Sequence, residues 1–384
     1  MNIPSGWKLK HIQNDFETFS GGTPNTKNDE YYKGTIPWIR STEINQKIIT
    51  ETEKNISLEG LNNSSAKMVY PGYVLLALYG ATAGEVAITN IEGAINQAVL
   101  AINAKNNASS NDYLYYYLSY HKDRIINKYV QGGQPNLSGG IIKNLLYLSP
   151  PRKEQQKIAS ILSTWDEAIE KYQNLLEQEL RLMHSLKYIF FKEKESWMKT
   201  NLKSISRVVT GSTPPTSEEK YYHGNYVWVT PTDISEEKYI SDSERKLSEE
   251  GFSKSRRLPA GTLLITSIAS IGKNAILKVE GSCNQQINAI FPSENHSNEF
   301  LYYYLTYHKN DLLRYATTTA TAMINKSTFE KIPIYVPELK IQKQIADILS
   351  LQDEKISSIR NMIIQLQEQK RGLMQLLLTG KVRV

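Results

Sequence analysis

Leu114-Tyr115-Tyr116-Tyr117-Leu118 is a run that occurs a second time at residues 301–305, and each copy is followed by two residues and then His-Lys. Other residues repeat with nearly the same spacing: Gly21, Thr23, Pro24, Tyr32 and Trp38 recur as Gly211, Thr213, Pro214, Tyr222 and Trp228. This spacing is about 190 residues, whereas the units of solenoid repeats are only about 20–50 residues long. The sequence therefore predicts two copies of one domain.

The tyrosine-rich runs have two interpretations. Aromatic side chains can stack on the bases of a nucleic acid. However, Leu114, Tyr117 and Leu118 are three and four residues apart, as are their counterparts in the second copy, and this spacing is typical of the buried face of a helix. The spacing favours core packing, and we interpret the matching His121 and His308 as core or helix-surface residues rather than catalytic ones.

Each tyrosine-rich region is followed by a long helical pattern. Apolar residues step by three and four from Pro150 to about Phe191, and the same pattern runs from about residue 345 to residue 377. A sustained period near 3.5 residues is typical of the seam of a coiled coil. The series is interrupted by polar residues, which are Glu179 in the first helix and Gln352 and Lys370 in the second. At about 1.5 Å per residue, a helix of about 40 residues would span about 60 Å.

The ends of these helices also carry signals. Ser149 followed by Pro150 resembles an N-cap with proline at the first helical position. Gly380, followed by Lys381 and Arg383, is typical of a helix end with cations near the negative pole of the helix dipole. We therefore expect the first long helix to begin at residue 150 and the second to stop before residue 380.

Neither apolar seam can remain in water, so each long helix needs a partner. The helices could pair antiparallel with each other, pack on their own domains, or pair between chains; the duplication favours pairing within the chain. Short apolar runs bounded by turn signals, such as residues 73–78 and 262–266, predict strands in the remaining regions. The predicted fold class is α+β: two duplicated mixed α/β domains separated by two long antiparallel helices forming a coiled coil. The predicted divisions are residues 1–149, 150–195, 196–336 and 337–384.

Composition narrows the classes of function. The chain has 384 residues, a formal net charge of +6 and a single cysteine, so neither a disulfide framework nor a thiolate metal cluster is expected. No apolar run approaches the roughly 20 residues that span a bilayer, and the first residues lack the layout of a signal peptide. We therefore expect no membrane association and a cytoplasmic location. Because the positive charge is not concentrated in one segment, a polyanionic partner would have to bind local patches.

Motifs for catalysis are missing from the sequence. Gly272-Lys273 and Gly380-Lys381 lack the upstream glycine and following hydroxyl residue of a phosphate-binding loop. The sequence has neither a His-Glu-x-x-His motif nor a Gly-x-Ser-x-Gly nucleophile turn, and we find no glycine-rich adenosine-binding loop. These absences favour a binding protein without catalytic or metal-ligating residues.

Polar loops between strand signals are better candidates for function. Small residues let a backbone approach a partner closely, and the polar side chains can bond base edges or phosphates. The candidate contacts in the first copy are Thr23, Asn25, Lys27, Arg40, Thr42, Lys67, Tyr79, Thr82, Asn96, Gln97, Gln131, Gln134 and Asn136. Those in the second copy are Thr213, Thr216, Thr230, Thr232, Lys254, Arg256, Arg257, Ser267, Ser270, Asn284, Gln285, Thr318, Thr319, Thr321 and Lys326.

The two copies differ most in these loops. Residues 129–140 are rich in Gln, Gly and Asn, whereas the matching residues 315–326 are rich in Thr and Ala. Residues 79–84 match residues 267–272, and Asn96-Gln97 matches Asn284-Gln285. A shared scaffold with different polar tips is what two readers of two short DNA sequences would need.

The whole chain resembles the specificity subunit (HsdS) family of Type I restriction–modification systems. The resemblance is carried by the opening at residues 4–7, Trp38-Ile39-Arg40 and its echo at residues 228–230, the two Asn-Gln pairs, and the helix openings at residues 154–159 and 342–346. The most specific match is the ending at residues 372–384, Gly-Leu-Met-Gln-Leu-Leu-Leu-Thr-Gly-Lys-Val-Arg-Val. The first helix departs from this pattern because it ends in residues 187–191 without Thr-Gly-Lys.

The resemblance implies a division of labour between subunits. It implies two target-recognition domains that each contact half of a bipartite double-stranded DNA site, and a helical spacer that docks two methyltransferase (HsdM) subunits. Those subunits would supply S-adenosylmethionine chemistry, and restriction (HsdR) subunits would use ATP and Mg. The resemblance implies no cofactor in this chain.

Two other classes of function stay open at this point. The chain could be a DNA methyltransferase or nuclease with an unrecognised catalytic site. It could also be a coiled-coil scaffold that does not bind DNA.

Overall fold

The computed structural model describes residues 3–107, 109–129, 136–192, 196–317 and 322–384. The chain forms two compact units. Unit 1 comprises Met1–Gln173 and Asn361–Val384, and unit 2 comprises Asn174–Arg360. Each unit contains one copy of the mixed α/β region together with parts of both long helices.

Unit 1 is built on short strands and helices. Its strands are β1 (Lys8–His11), β2 (Phe16–Ser20), β3 (Ile36–Ile39), β4 (Ile48–Ile49), β5 (Asn55–Ile56), β6 (Lys67–Val69), β7 (Val74–Ala77), β8 (Val86–Thr89), β9 (Gly93–Ile95), β10 (Val99–Ala104) and β11 (Leu146–Ser149). Its helices are α1 (Ile12–Asp15), α2 (Leu58–Asn62), α3 (Asn111–Tyr129), α4 (Gly139–Lys143) and the first part of α5 (Arg152–Phe191). Short 3₁₀ helices occupy Asp29–Tyr32 and Ser41–Glu43.

The strands of unit 1 form a five-stranded sheet in the order β2-β10-β7-β8-β4, a four-stranded sheet in the order β5-β3-β9-β6, and the pair β1-β11. Within the five-stranded sheet β4 runs parallel to β8, and the other neighbours are antiparallel. The sheet is buried on both faces: Val74 and Leu76 join one apolar cluster, while Leu75 and Ala77 join another. Two covered faces explain why β7 is a continuous apolar run rather than an alternating one.

Unit 2 repeats this architecture. Its strands are β12 (Met198–Asn201), β13 (Val208–Thr210), β14 (Tyr222–Val229), β15 (Tyr239–Ile240), β16 (Lys246–Leu247), β17 (Leu263–Thr266), β18 (Asn274–Leu277), β19 (Gly281–Cys283), β20 (Ile287–Ile290) and β21 (Pro333–Val336). Its helices are α6 (Leu202–Ile205), α7 (Glu249–Lys254), α8 (Asn298–Tyr307), α9 (Lys309–Leu313), α10 (Lys326–Lys331) and the first part of α11 (Leu339–Leu378), with a 3₁₀ helix at Glu219–Tyr221.

The topology of unit 2 matches that of unit 1. The five-stranded sheet has the order β13-β20-β17-β18-β15, a smaller sheet has the order β16-β14-β19, and β12 pairs with β21. The counterpart of β6 is reduced to a single bridge between Leu258 and Gly281. The duplication predicted from the sequence is therefore present in the strand order itself.

The long helices α5 and α11 each contain 40 residues. Gly380 has a φ of 69°, a left-handed conformation that favours glycine, so the predicted helix end is confirmed. The predicted start at Ser149-Pro150 is wrong. Ser149 is the last residue of β11 and pairs with Lys8, and the first turn of α5 begins after Pro151, whose carbonyl accepts a bond from the amide of Glu154.

The polar interruptions of the two seams pair with residues on the facing helix. In unit 2, the amide of Gln352 donates to the carboxylate of Glu179 at 2.8 Å, and Lys355 Nζ lies 2.7 Å from the same carboxylate. In unit 1, Lys370 Nζ donates to the carboxylate of Asp166. Early residues of α5 face late residues of α11, so the helices pair antiparallel within the chain, as predicted.

The tyrosine-rich runs lie in the hydrophobic core. Tyr116 is 1% exposed and Tyr303 is 0% exposed, and their neighbours in α3 and α8 are also buried. Core packing is confirmed, and these rings are not available to stack on bases. His121 is partly buried, and burial together with Arg124 lowers its pKa to about 4. Within the described part of the chain, no helix is long and apolar enough to cross a membrane.

Candidate nucleic-acid interface

Five polar loops of unit 1 meet at one end of its sheets. They comprise residues 21–27, 40–43, 78–85, 96–98 and 136–138, and we call them the first loop cluster. Backbone bonds link them in series: the amide of Gly22 donates to Ile95 O at 3.1 Å, that of Asn96 to Ile39 O at 3.0 Å, that of Leu78 to Ala98 O at 2.8 Å, and that of Leu137 to Leu78 O at 2.7 Å. The loops therefore present one continuous surface.

Unit 2 has the same arrangement. Its second loop cluster comprises residues 211–217, 230–233, 267–273, 284–286 and 322–325. The amide of Ser212 donates to Cys283 O at 2.8 Å, that of Asn284 to Val229 O at 3.0 Å, that of Ser267 to Gln286 O at 2.8 Å, and that of Ile324 to Ser267 O at 2.8 Å. The backbone framework of the two clusters is thus shared.

Glycine and tryptophan residues common to both copies hold this framework. A Cβ atom on Gly21 would lie 1.8 Å from Ile95 O, and one on Gly211 would lie 2.2 Å from Asn284 O, so only glycine allows the backbones to approach this closely. The indole nitrogen of Trp38 donates to Gly22 O at 3.3 Å, and that of Trp228 donates to Ser212 O at 3.1 Å. These matching glycines and tryptophans therefore serve the scaffold.

The two Asn-Gln pairs divide their roles. Asn96 and Asn284 are each 9% exposed, and their side-chain oxygens accept bonds from the amides of Ala98 and Gln286 at 3.1 and 3.0 Å. Gln97 and Gln285 are exposed, and each accepts a bond from the threonine hydroxyl at position 23 or 213. The asparagines shape the loops, while the glutamines present their amide groups to solvent.

In the loops that follow β3 and β14, the first residue is held by the carboxylate of the residue three positions later. The carboxylate of Glu43 accepts the amide of Arg40 at 2.7 Å, and the carboxylate of Asp233 accepts the amide of Thr230 at 2.7 Å. The Thr230 hydroxyl donates to Asp233 at 2.7 Å as well. Arg40 and Thr230 are therefore partly engaged within the protein, whereas Thr42 and Thr232 are exposed.

The loop after β17 is one residue shorter than the loop after β7. Tyr79 forms a bridge with Asn136, and Ile268 forms the equivalent bridge with Met323, so Tyr79 corresponds to Ile268. The alignment of residues 79–84 with 267–272 is thus wrong at its first positions. Ser267 is buried, and its hydroxyl donates to Gln286 O at 2.9 Å, so it is not placed to contact a partner.

The remaining candidates sort by exposure. Those exposed to solvent are Asn25, Lys27, Thr42, Lys67, Gln97, Asn136, Thr216, Thr232, Lys254, Arg256, Arg257, Gln285 and Lys326. Those partly buried are Thr23, Arg40, Tyr79, Thr82, Thr213, Thr230 and Ser270, and Thr82 donates its hydroxyl to Ser41 O at 2.8 Å. Gln131, Gln134, Thr318, Thr319 and Thr321 lie outside the described residues.

Sequence reasoning missed two cations beside the second loop cluster. Lys203 on α6 and Arg207 just after it line a groove together with Arg256 and Lys326. Arg256 belongs to both features, because its amide donates to Ser212 Oγ at 2.8 Å. The sequence contained one signal for them, which is a difference in charge between the copies: the positions that match Lys203 and Arg207 in the first copy are Gln13 and Glu17.

A polar cluster fastens the mixed region of unit 1 to its long helix. The carboxylate of Asp166 accepts the Tyr116 hydroxyl at 2.6 Å and lies 2.9 Å from Lys47 Nζ, and Lys370 also donates to it. Burial of this carboxyl opposes ionisation, but the bonds from Lys370, Tyr116 and Lys47 outweigh burial and lower the pKa of Asp166. In unit 2, Asp353 accepts the Tyr303 hydroxyl at 2.6 Å.

Comparison with known proteins identifies the family. A family model described as the Type I restriction modification DNA specificity domain matches residues 4–179 and again residues 194–368. The chain belongs to this family. The specificity subunit of the Type I restriction enzyme MjaVIII from Methanocaldococcus jannaschii is 25% identical over all of this chain and 95% of its own length. The MjaIX specificity subunit of the same organism is 26% identical over the same shares.

A solved structure supports the fold of this specificity subunit. The S subunit of a Type I restriction-modification system from M. genitalium superposes with a TM-score of 0.66 at 16% identity, covering 98% of this chain and 96% of its own. The chain is thus a Type I specificity subunit with two target-recognition domains, which is a non-catalytic role.

Proposed function

We propose that each loop cluster recognises one half of a bipartite double-stranded DNA site, with residues 1–149 and 196–336 as the two target-recognition domains. One observation carries this proposal: the clusters share their backbone bonds and their glycine and tryptophan supports, yet differ in the side chains that face solvent. A common framework with different tips suits two readers of different sequences.

The exposed side chains have the chemistry for both parts of recognition. Amides such as those of Gln97, Asn136 and Gln285 can bond adenine in the major groove through two contacts, and Arg257 can bond guanine in the same way. Lysines such as Lys27 and Lys67 suit phosphate oxygens, which orient a protein on the duplex without reading its sequence.

We further propose that α5 and α11, within residues 150–195 and 337–384, dock two methyltransferase (HsdM) subunits. Leu182 and Ile189 on α5 and Leu351 and Ile364 on α11 are 45%, 58%, 67% and 52% exposed. Leu182 and Ile189 are seven residues apart and therefore lie on one face of α5, and exposed apolar side chains that lie together are suited to a protein interface. S-adenosylmethionine would be held by those subunits, ATP and Mg by restriction (HsdR) subunits, and the complex would act in the cytoplasm.

The test uses matched variants of the chain copurified with its methyltransferase subunit. Gln97→Ala and Gln285→Ala remove equivalent exposed amides from the two clusters. Mapping the methylated sites should show relaxed recognition in one half for the first variant and in the other half for the second. Each lost amide should reduce discrimination about 5- to 150-fold, equivalent to about 1–3 kcal/mol. Relaxation of both halves by one variant, or of neither half by either variant, would contradict the proposal.

A further inference from the structure

A cationic groove lies beside the second loop cluster. It has a volume of about 670 Å³ and is lined by residues of α6, β13 and α10 together with Arg256. Four of its side chains, Lys203, Arg207, Arg256 and Lys326, are cationic and exposed to solvent. Among the described residues that line it, the one carboxylate belongs to Glu330, whose oxygen lies 3.3 Å from Lys326 Nζ. The groove therefore carries a local excess of positive charge.

The groove continues the surface of the loops. Arg256 donates its backbone amide to Ser212 Oγ at 2.8 Å, so the groove and residues 211–217 meet at this contact. The guanidinium of Arg207 lies over the ring of Phe291, with 4.8 Å between Cζ and the ring centre. This contact restricts the position of the guanidinium, whose N–H groups are suited to donate hydrogen bonds to phosphate oxygens.

Unit 1 does not repeat this charge. The second residue of α1 is Gln13, where α6 has Lys203. The counterpart of Arg207, which directly precedes the edge strand β13, is Glu17 in the edge strand β2. The first residue of α4 is Gly139, where α10 begins with Lys326. Among these positions only Arg256 has a basic counterpart, Lys67. Lys143 matches Glu330, so it restores part of the charge, but the excess remains on the side of unit 2.

We propose that this groove binds DNA phosphates next to the half-site read by the second loop cluster, so that the two target-recognition domains hold DNA unequally. The inference rests on the proposed function, because it takes DNA as the partner of the adjoining loops. Exposed cations on flexible stems suit phosphate oxygens, and such contacts release counterions from the duplex. The second domain then supplies more of the salt-dependent affinity, and the first depends more on contacts to bases.

The test measures DNA affinity against salt for the copurified complex, with a duplex that contains the mapped methylation site. The double variant Lys203→Gln/Arg207→Gln removes two cations from the groove. The control variant Lys199→Gln/Lys278→Gln removes two exposed cations from outside the groove in the same unit. Each phosphate contact contributes about 0.9 to the slope of log affinity against log salt concentration. The groove variant should lower that slope by about 1.8, and the control should leave it unchanged.

The same numbers fix the expected affinities. Between 50 and 200 mM salt, the affinity of wild type should fall by a factor about 12 times larger than the factor for the groove variant. The reason is that the variant releases about two fewer counterions when it binds DNA. The mapped methylation sequence should stay the same, since phosphate contacts do not read bases. A gain variant, Gln13→Lys/Glu17→Arg, should raise the slope by up to about 1.8 by building the same charge into unit 1.

The outcomes separate this inference from the proposed function. If the complex binds its site specifically but the groove variant keeps the wild-type slope, the groove proposal is wrong and the proposed function stands. If the groove variant changes the methylated sequence, the groove reads bases rather than phosphates. If it instead prevents copurification of the methyltransferase subunit, the groove is a protein interface. If wild type shows no site-specific binding, the proposed function itself fails.

Discussion

Replacing Asp166 by asparagine should destabilise the chain by about 3 kcal/mol. The carboxylate accepts bonds from Tyr116 and Lys370 and lies 2.9 Å from Lys47 Nζ, and its side chain is 19% exposed. Breaking a buried ion pair from one side costs about 3–5 kcal/mol, because the remaining charge is left without its partner. Two lysines would lose their carboxylate partner, which favours a large loss of stability. Because Asp166 is partly exposed, we nevertheless expect a loss at the lower end of that range.

The assay is the free energy of unfolding of the full chain from denaturant titration. Glu177→Gln on the same helix is the control, because its ion pair with Arg181 is 62% and 75% exposed and should contribute less than about 0.5 kcal/mol. Asp353→Asn should fall between the two, at about 1–2 kcal/mol, since Asp353 accepts the neutral Tyr303 hydroxyl at 2.6 Å. A loss below about 1 kcal/mol for Asp166→Asn would refute the reasoning, because two ammonium groups would then tolerate the missing carboxylate.

The stability difference between wild type and Asp166→Asn should depend on pH. The folded-state pKa of Asp166 is lowered by its three donors against the effect of burial, whereas an unfolded aspartate has a pKa of about 3.9. The carboxylate therefore stabilises the fold above about pH 4, and this contribution is lost as the pH falls through the lower folded-state value. The difference between wild type and Asp166→Asn should be full at pH 7 and shrink below pH 4. A difference that grows on acidification would contradict this assignment.

Two further predictions concern the scaffold and the core. Gly21→Ala should destabilise unit 1 by about 3 kcal/mol and disturb the first loop cluster, because its Cβ would meet Ile95 O. Gly372→Ala on α11 has open space and should stabilise the chain by up to about 1 kcal/mol. Thermal unfolding of both variants tests these two expectations. Cys283 is buried, and burial raises the pKa of its thiol to about 12. A thiol-specific reagent at pH 8 should therefore label Cys283 only as fast as the chain unfolds. Rapid labelling of the folded chain would contradict this expectation.

Much of the fold follows from local patterns in the sequence. The apolar run before Tyr79 predicts a strand because β7 is covered on both faces, and the 3.5-residue period predicts α5 and α11 to within a few residues. The start of α5 could not be predicted from Ser149-Pro150, because Ser149 is held extended by its pairing with Lys8. That contact joins residues far apart in sequence, so no local signal reveals it.

The candidate site was predictable only in part. Polar loops with glycine turns indicated where the clusters lie, but burial separates Asn96, Asn284 and Ser267 from the exposed residues beside them. The one-residue difference between the loops after β7 and β17 also depends on strand ends that the sequence does not mark. The groove joins residues of α6 and α10 to Arg256, and only the folded chain brings them together.

The polar interruptions of the helical seams show the same limit. Glu179 and Gln352 look like isolated defects in two apolar series, yet in unit 2 they bond each other at 2.8 Å. Their meaning depends on the antiparallel register, which places these two positions opposite one another. A period predicts that a helix has a seam, but the partner residue at each level follows from the pairing.

We propose that two separate loop clusters read the two halves of one DNA site. The most direct measurement is a genome-wide map of methylated bases in a host that carries the chain, compared with a host that carries a chimaera in which residues 1–149 come from a relative. One half of the methylated sequence should change and the other half should stay the same. Change in both halves, or in neither, would contradict it.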